Sequence, residues 1–127
     1  VMNNMQGMLA TPSLRLAEIA WPYLDEPLAL IEKRRETNLQ HLIDVLSANS
    51  IEWTPPPTGI FGCIPLPLDV DCQRFVEDIC SKHGLLATPA LMFSSKLPNM
   101  VRVAWGGEPE AFVAAMDAFD SCLQELK

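Results

Sequence analysis

The sequence holds 127 residues, of which 49 % are hydrophobic and 20 % charged, with 11 prolines against 6 glycines. That length fits a single domain spanning residues 1–127, since domains cluster at about 100–150 residues, and the apolar share excludes intrinsic disorder. Nine Lys and Arg against sixteen Asp and Glu give a formal net charge of −7, which argues against nucleic-acid binding, a function that draws on basic surface. Read from the N-terminus, Val1 to Leu9 carries Asn3, Asn4 and Gln6 and no basic stretch, so it is not expected to act as a signal peptide. A first helix is predicted from TPSLRLAEIAW, with Thr11 as N-cap and Pro12 at the first helical position. Pro22 and Pro27 interrupt the pattern, and a second helix is expected from near Pro27 to Asn49. Its apolar stripe is Ile31, Leu39, Leu42, Ile43 and Leu46.

Strand-like patterns follow. Ile51 to Trp53 reads as extended, and Pro55, Pro56 and Pro57 then stop regular pairing. A strand is predicted from Ile60 to Leu66, with Gly59 and Gly62 allowing close backbone approach. Asp69 or Asp71 should cap the next helix, whose buried side is Cys72, Phe75, Val76, Ile79 and Cys80, and Gly84 should end it. Leu85 to Ala87 reads as a short extended piece before Pro89. Met100 to Trp105 is a strand of alternating character, with Val101, Val103 and Trp105 on one face and Arg102 and Ala104 on the other. Pro109 starts a last helix that turns Phe112, Met116, Phe119 and Leu123 inward. Long helices with short strands indicate an α+β fold, two layers with helices against one small antiparallel sheet.

Few residue groups suggest chemistry by themselves. Lys33, Arg34 and Arg35 form a basic cluster flanked by Glu32 and Glu36, the pattern of a solvated helix face. Cys63, Cys72, Cys80 and Cys122 include no C-x-x-C pair, and His41 and His83 do not complete a zinc spacing. No metal is expected, and the cysteines read as small buried thiols of a reducing cytoplasm. No apolar run approaches the ~20 residues that span a bilayer, so no membrane partner is expected. His83 stands where it complements a helix dipole, and Trp21, Trp53 and Trp105 read as core or interdomain anchors. Met5, Met8, Leu9, Leu14 and Trp21 are expected to leave an apolar surface exposed on the first helices.

In order and spacing these signals resemble the small C-terminal domain of fold-type I pyridoxal-phosphate enzymes, specifically class I/II aminotransferases. PPPTGIFGCIPLP at Pro55 to Pro67 is similar to the family's Pro-x-Gly-x-Phe strand. KHGLLATPALMF at Lys82 to Phe93 resembles its Pro-Gly segment, with Ala90 where the family often has glycine. MVRVAWGGEPEAFVAAMDAF at Met100 to Phe119 resembles its arginine strand and the helix after it. The resemblance covers nearly the whole chain. It implies amino-group transfer between an amino acid and a 2-oxo acid, pyridoxal phosphate as cofactor, a homodimer, and a large cofactor-binding domain absent from this chain. It also implies that Arg102 holds the substrate's α-carboxylate. None of Lys33, Lys82, Lys96 and Lys127 stands at the family's Schiff-base position, so no catalytic or cofactor-binding residue is expected here and the chain alone should be inactive. A lyase or synthase of the same fold type, or a ligand-sensing module of a transcriptional regulator, fits the same resemblance.

Overall fold

The computed structural model describes residues 11–67 and 69–126 and divides the chain into two compact units, residues 1–32 and 33–127. In the first unit, helix α1 (Thr11–Ala20) leads through a 3-10 turn at Trp21–Tyr23 to the start of α2 (Asp25–Ala48). Thr11 is itself helical rather than the cap. The second helix begins two residues before Pro27, because a proline in the first turn removes an N–H that has no helical partner in any case. α1 has no buried residue, and Leu14, Trp21 and Ile31 are exposed, so Ile31 is not part of the inward stripe. Met5, Met8 and Leu9 lie outside the described residues.

The second unit is the α+β body. Strand β1 (Phe61–Pro65) is followed by α3 (Cys72–His83), β2 (Thr88–Pro89), a 3-10 turn at Ala90–Met92, β3 (Met100–Ala104) and α4 (Pro109–Gln124). The sheet is antiparallel in the order β1-β3-β2. Alternation along the strands sends Ile64, Val101 and Val103 to one face. There they join a single buried cluster with Leu42 and Leu46 of α2, Phe75 and Ile79 of α3, and Met116 and Phe119 of α4. Phe75 and Phe119 meet edge to face at 5.6 Å.

Local signals explain most element ends. The Asp71 carboxylate accepts from the backbone N–H groups of Gln73 (2.9 Å) and Arg74 (3.3 Å), which fixes the start of α3 and leaves Asp69 outside the cap. Gly84, at φ 65°, ends it in the left-handed conformation that glycine adopts without strain. The short extended piece expected at Leu85 to Ala87 falls at Thr88–Pro89 instead. Pro89 is tolerated there because β2 is an edge strand, with no ladder N–H required on its outer side. Gly62 owes its lack of a side chain to a close approach: a Cβ there would lie 2.9 Å from the Trp105 ring. Gly59 is required by its φ of 96° and not by crowding.

Three readings of single side chains change. Cys80 is exposed, because it lies on the edge of the α3 stripe rather than at its centre. Arg35, expected on a solvated face, is buried, whereas Asn38, also buried, carried no sequence signal at all. Arg35 Nε donates to the Gly59 carbonyl at 2.8 Å and its terminal nitrogen to the Pro57 carbonyl at 3.0 Å. The proline-rich segment cannot pair its carbonyls in a sheet, and a guanidinium supplies the missing donors. Asn38 Nδ2 donates to the carbonyls of Trp105 (2.9 Å) and Gly107 (3.0 Å), tying α2 to the end of β3.

Thiol chemistry should follow burial. Desolvation pushes the thiols of Cys72 and Cys122 above their ordinary pKa, so both stay protonated and shielded near neutral pH. Iodoacetamide added to the native protein is expected to label exposed Cys80 and to spare Cys72 and Cys122 until denaturant is present. Peptide mapping reads the result, and native labelling of Cys72 at the rate of Cys80 would contradict this packing.

Candidate functional site

The open face of the sheet carries the other half of each strand's alternation. Phe61 and Ala104 are exposed, while Cys63, Pro65, Met100 and Arg102 are half-buried. Arg102 stands at the centre of this face, because β3 is the middle strand. Its register partners are Cys63 on β1 and Thr88 on β2. The alternation read from VRVAW is the one observed, with Val101 and Trp105 at 0 % exposure beneath and Arg102 above.

Two aromatic rings flank the guanidinium. Its central carbon lies 4.4 Å from the centroid of Phe61 and 5.4 Å from that of Phe93, both within the ~6 Å reach of a cation–π contact. Phe61 approaches from the diagonal position on β1, two residues before Cys63 and on the same face. Phe93 is delivered by the tight turn after β2, where its N–H bonds the carbonyl of fully buried Ala90 at 2.9 Å. Sequence reading singled out Arg102 but not these two rings, which reach it only through strand pairing and the turn after β2.

Among the described residues no carboxylate pairs with Arg102. Ion pairs lie elsewhere, among them Arg15 with Glu18, Arg34 with Glu108 at 2.8 Å, and Lys82 with Glu125 at 2.6 Å. A cleft of about 310 Å³ opens beside Arg102, lined also by Thr88, Ala104, Leu86, Phe112 and Met116. A larger hollow of about 480 Å³ beside Ile43 and Trp53 has Glu52 as its one titratable side chain and gathers no chemistry. The arrangement at Arg102 is thus a cation with planar N–H donors, two aromatic neighbours and no counter-ion among the described residues, which suits a carboxylate.

Among the described residues no lysine fits as the imine-forming holder of pyridoxal phosphate. An imine-forming lysine needs its amine freed of its proton, yet Glu125 bonds Lys82 and raises its pKa, while Lys33 and Lys96 are exposed to water. Among the described residues no three His, Cys, Asp or Glu side chains are grouped to hold a metal ion, and no helix is long and apolar enough to cross a membrane.

No protein-family model and no curated protein sequence matches the chain. Solved structures do. The PLP-dependent cyclase OrfR superposes with a TM-score of 0.81 at 24 % identity, over 99 % of this chain and 35 % of its own. A PLP-dependent aminotransferase from Streptococcus suis gives 0.83 at 17 % identity, over 98 % of this chain and 33 % of its own. LysN, the alpha-aminoadipate aminotransferase from Thermus thermophilus, gives 0.71 at 15 % identity, over 87 % of this chain and 30 % of its own. The chain spans about a third of the length of the proteins it matches. It therefore has the fold of that third of PLP-dependent aminotransferase-like enzymes, consistent with their small C-terminal domain.

Proposed function

We propose that this chain is the small C-terminal domain of a fold-type I pyridoxal-phosphate-dependent aminotransferase, and that Arg102 grips the α-carboxylate of the amino acid and of the 2-oxo acid. The observation that carries this reading is the guanidinium of Arg102, without a carboxylate partner among the described residues, at the centre of the open sheet face in a fold that recurs in such enzymes. A guanidinium stays charged at every working pH and offers a carboxylate two parallel hydrogen bonds, which fixes the orientation of the substrate about its Cα. A large domain outside this chain would supply the cofactor, its lysine and most of the phosphate contacts. The complete protein would act as a cytoplasmic homodimer on amino acids and 2-oxo acids, with this domain excluding water from the reacting centre. A different pyridoxal-phosphate reaction is the alternative, favoured by the likeness to the cyclase OrfR.

The test is half-reaction kinetics of the two-domain protein with an amino acid and with the corresponding amine that lacks the carboxylate. Arg102→Lys keeps the charge and loses the planar fork, so kcat/KM for the amino acid should fall by about 10- to 100-fold, the equivalent of ~1.5–3 kcal/mol. The amine should be hardly affected. Equal losses on both substrates would remove Arg102 from the carboxylate role.

A further inference from the structure

We propose that Phe61 and Phe93 are positioning residues, which clamp the two faces of the Arg102 guanidinium so that only its N–H edge is offered to a carboxylate. The proposal deepens the carboxylate-grip reading and rests on it. Its ground is geometry: rings from two separate elements, β1 and the turn after β2, lie 4.4 and 5.4 Å from one guanidinium carbon. Burial does not explain these rings, because Phe61 is 52 % and Phe93 58 % exposed while the apolar core lies on the opposite side of the sheet. Ring stacking and hydrogen bonding use different parts of a guanidinium. The π-faces attract the cation from above and below, whereas all five N–H donors lie in its plane.

That division has three effects. The clamp removes water from the faces without consuming a donor, so each N–H···O bond forms in a less polar setting. It restricts a long, many-jointed side chain, so less freedom is lost when the anion arrives. It also favours a flat anion, since a planar carboxylate fits in the plane between the rings and a tetrahedral phosphate or sulfate does not.

The experiment follows the Arg102 Nε–H signal by NMR in this 127-residue chain, assigned by its loss in Arg102→Lys. Sodium acetate is the probe, with sodium chloride at equal ionic strength as the blank and sodium sulfate as the tetrahedral comparison. In the wild type the signal should be displaced by the ring currents and rigid on the nanosecond scale. It should shift saturably with acetate and more weakly with sulfate. Phe61→Leu and Phe93→Leu should each abolish part of the ring-current displacement, loosen the side chain and weaken acetate binding by about 2- to 5-fold, as one exposed cation–π contact allows. Phe61→Tyr, which keeps an aromatic face, should keep the ring-current displacement, the rigidity and the acetate affinity of the wild type. Backbone signals away from the site should stay in place, because neither ring belongs to the core. If acetate binding and side-chain rigidity are the same in the wild type and in both leucine variants, the clamp is overturned while the carboxylate reading stands. If acetate moves the wild-type signal no more than chloride does, the carboxylate reading fails and the clamp has no role.

Discussion

Trp105→Ala is expected to destabilise the protein by about 3–5 kcal/mol, a large part of the ~5–15 kcal/mol that holds a domain folded. Trp105 follows β3 directly and is fully buried. Its ring meets Trp53 edge to face at 5.7 Å, and its tip fills the space left open by Gly62. Its N–H bonds the Ile60 carbonyl at 2.7 Å, and its indole Nε1 donates to the Gly59 carbonyl at 3.2 Å. Truncation to alanine therefore opens a cavity and removes one hydrogen bond together. Urea unfolding gives the measurement, with Trp21→Ala as the comparison. Trp21 is 76 % exposed in the first unit, and its loss should change stability by no more than about 0.5 kcal/mol. If the two variants unfolded at the same urea concentration, Trp105 would not be the anchor described.

Arg35→Met should cost about 3 kcal/mol, although methionine is a good helix former of similar length. The guanidinium is buried, and its donors serve the carbonyls of Pro56, Pro57 and Gly59 in a segment where three successive prolines offer none. Removing it leaves those carbonyls without their charged donor. Gly59 would keep its bond from Trp105, so Pro56 and Pro57 bear most of the loss. Arg35→Lys retains the charge but not the fork and should recover about half of the difference. The segment leads straight into β1, so Arg35→Met should also disturb Phe61, and the Arg102 Nε–H signal reports that directly. Melting at the wild-type temperature in Arg35→Met would mean that water satisfies these carbonyls as well as arginine does.

The elements that sequence located well are those set by local physics. Asp71 and Gly84 bound α3 through interactions reaching two to four residues along the chain. The two-residue alternation of Val101, Arg102 and Val103 sorts β3 onto its two faces before any partner is known. The 3.6-residue period likewise found Phe112, Met116, Phe119 and Leu123 on α4. The short strand was misplaced by two to three residues because a strand of two residues has no period of its own. Its position is fixed by pairing with Val101 and Arg102 on β3.

By itself, then, the sequence determined the α+β class, most of each helix face, the strand faces and the side of β3 on which Arg102 stands, since each depends on spacing within one segment. Tertiary structure alone decided which polar groups go inside and what surrounds the candidate site. Arg35 and Asn38 look like surface residues of a charged helix until the carbonyls of Pro56, Pro57, Gly59, Trp105 and Gly107 are brought to them from 21 to 69 positions away. Phe61 and Phe93 come within 4.4 and 5.4 Å of the Arg102 guanidinium carbon because β1 pairs with β3 in one particular register and the turn after Pro89 brings Phe93 to it. Contacts of that kind are set by pairing between distant segments, and no local pattern of residues encodes them.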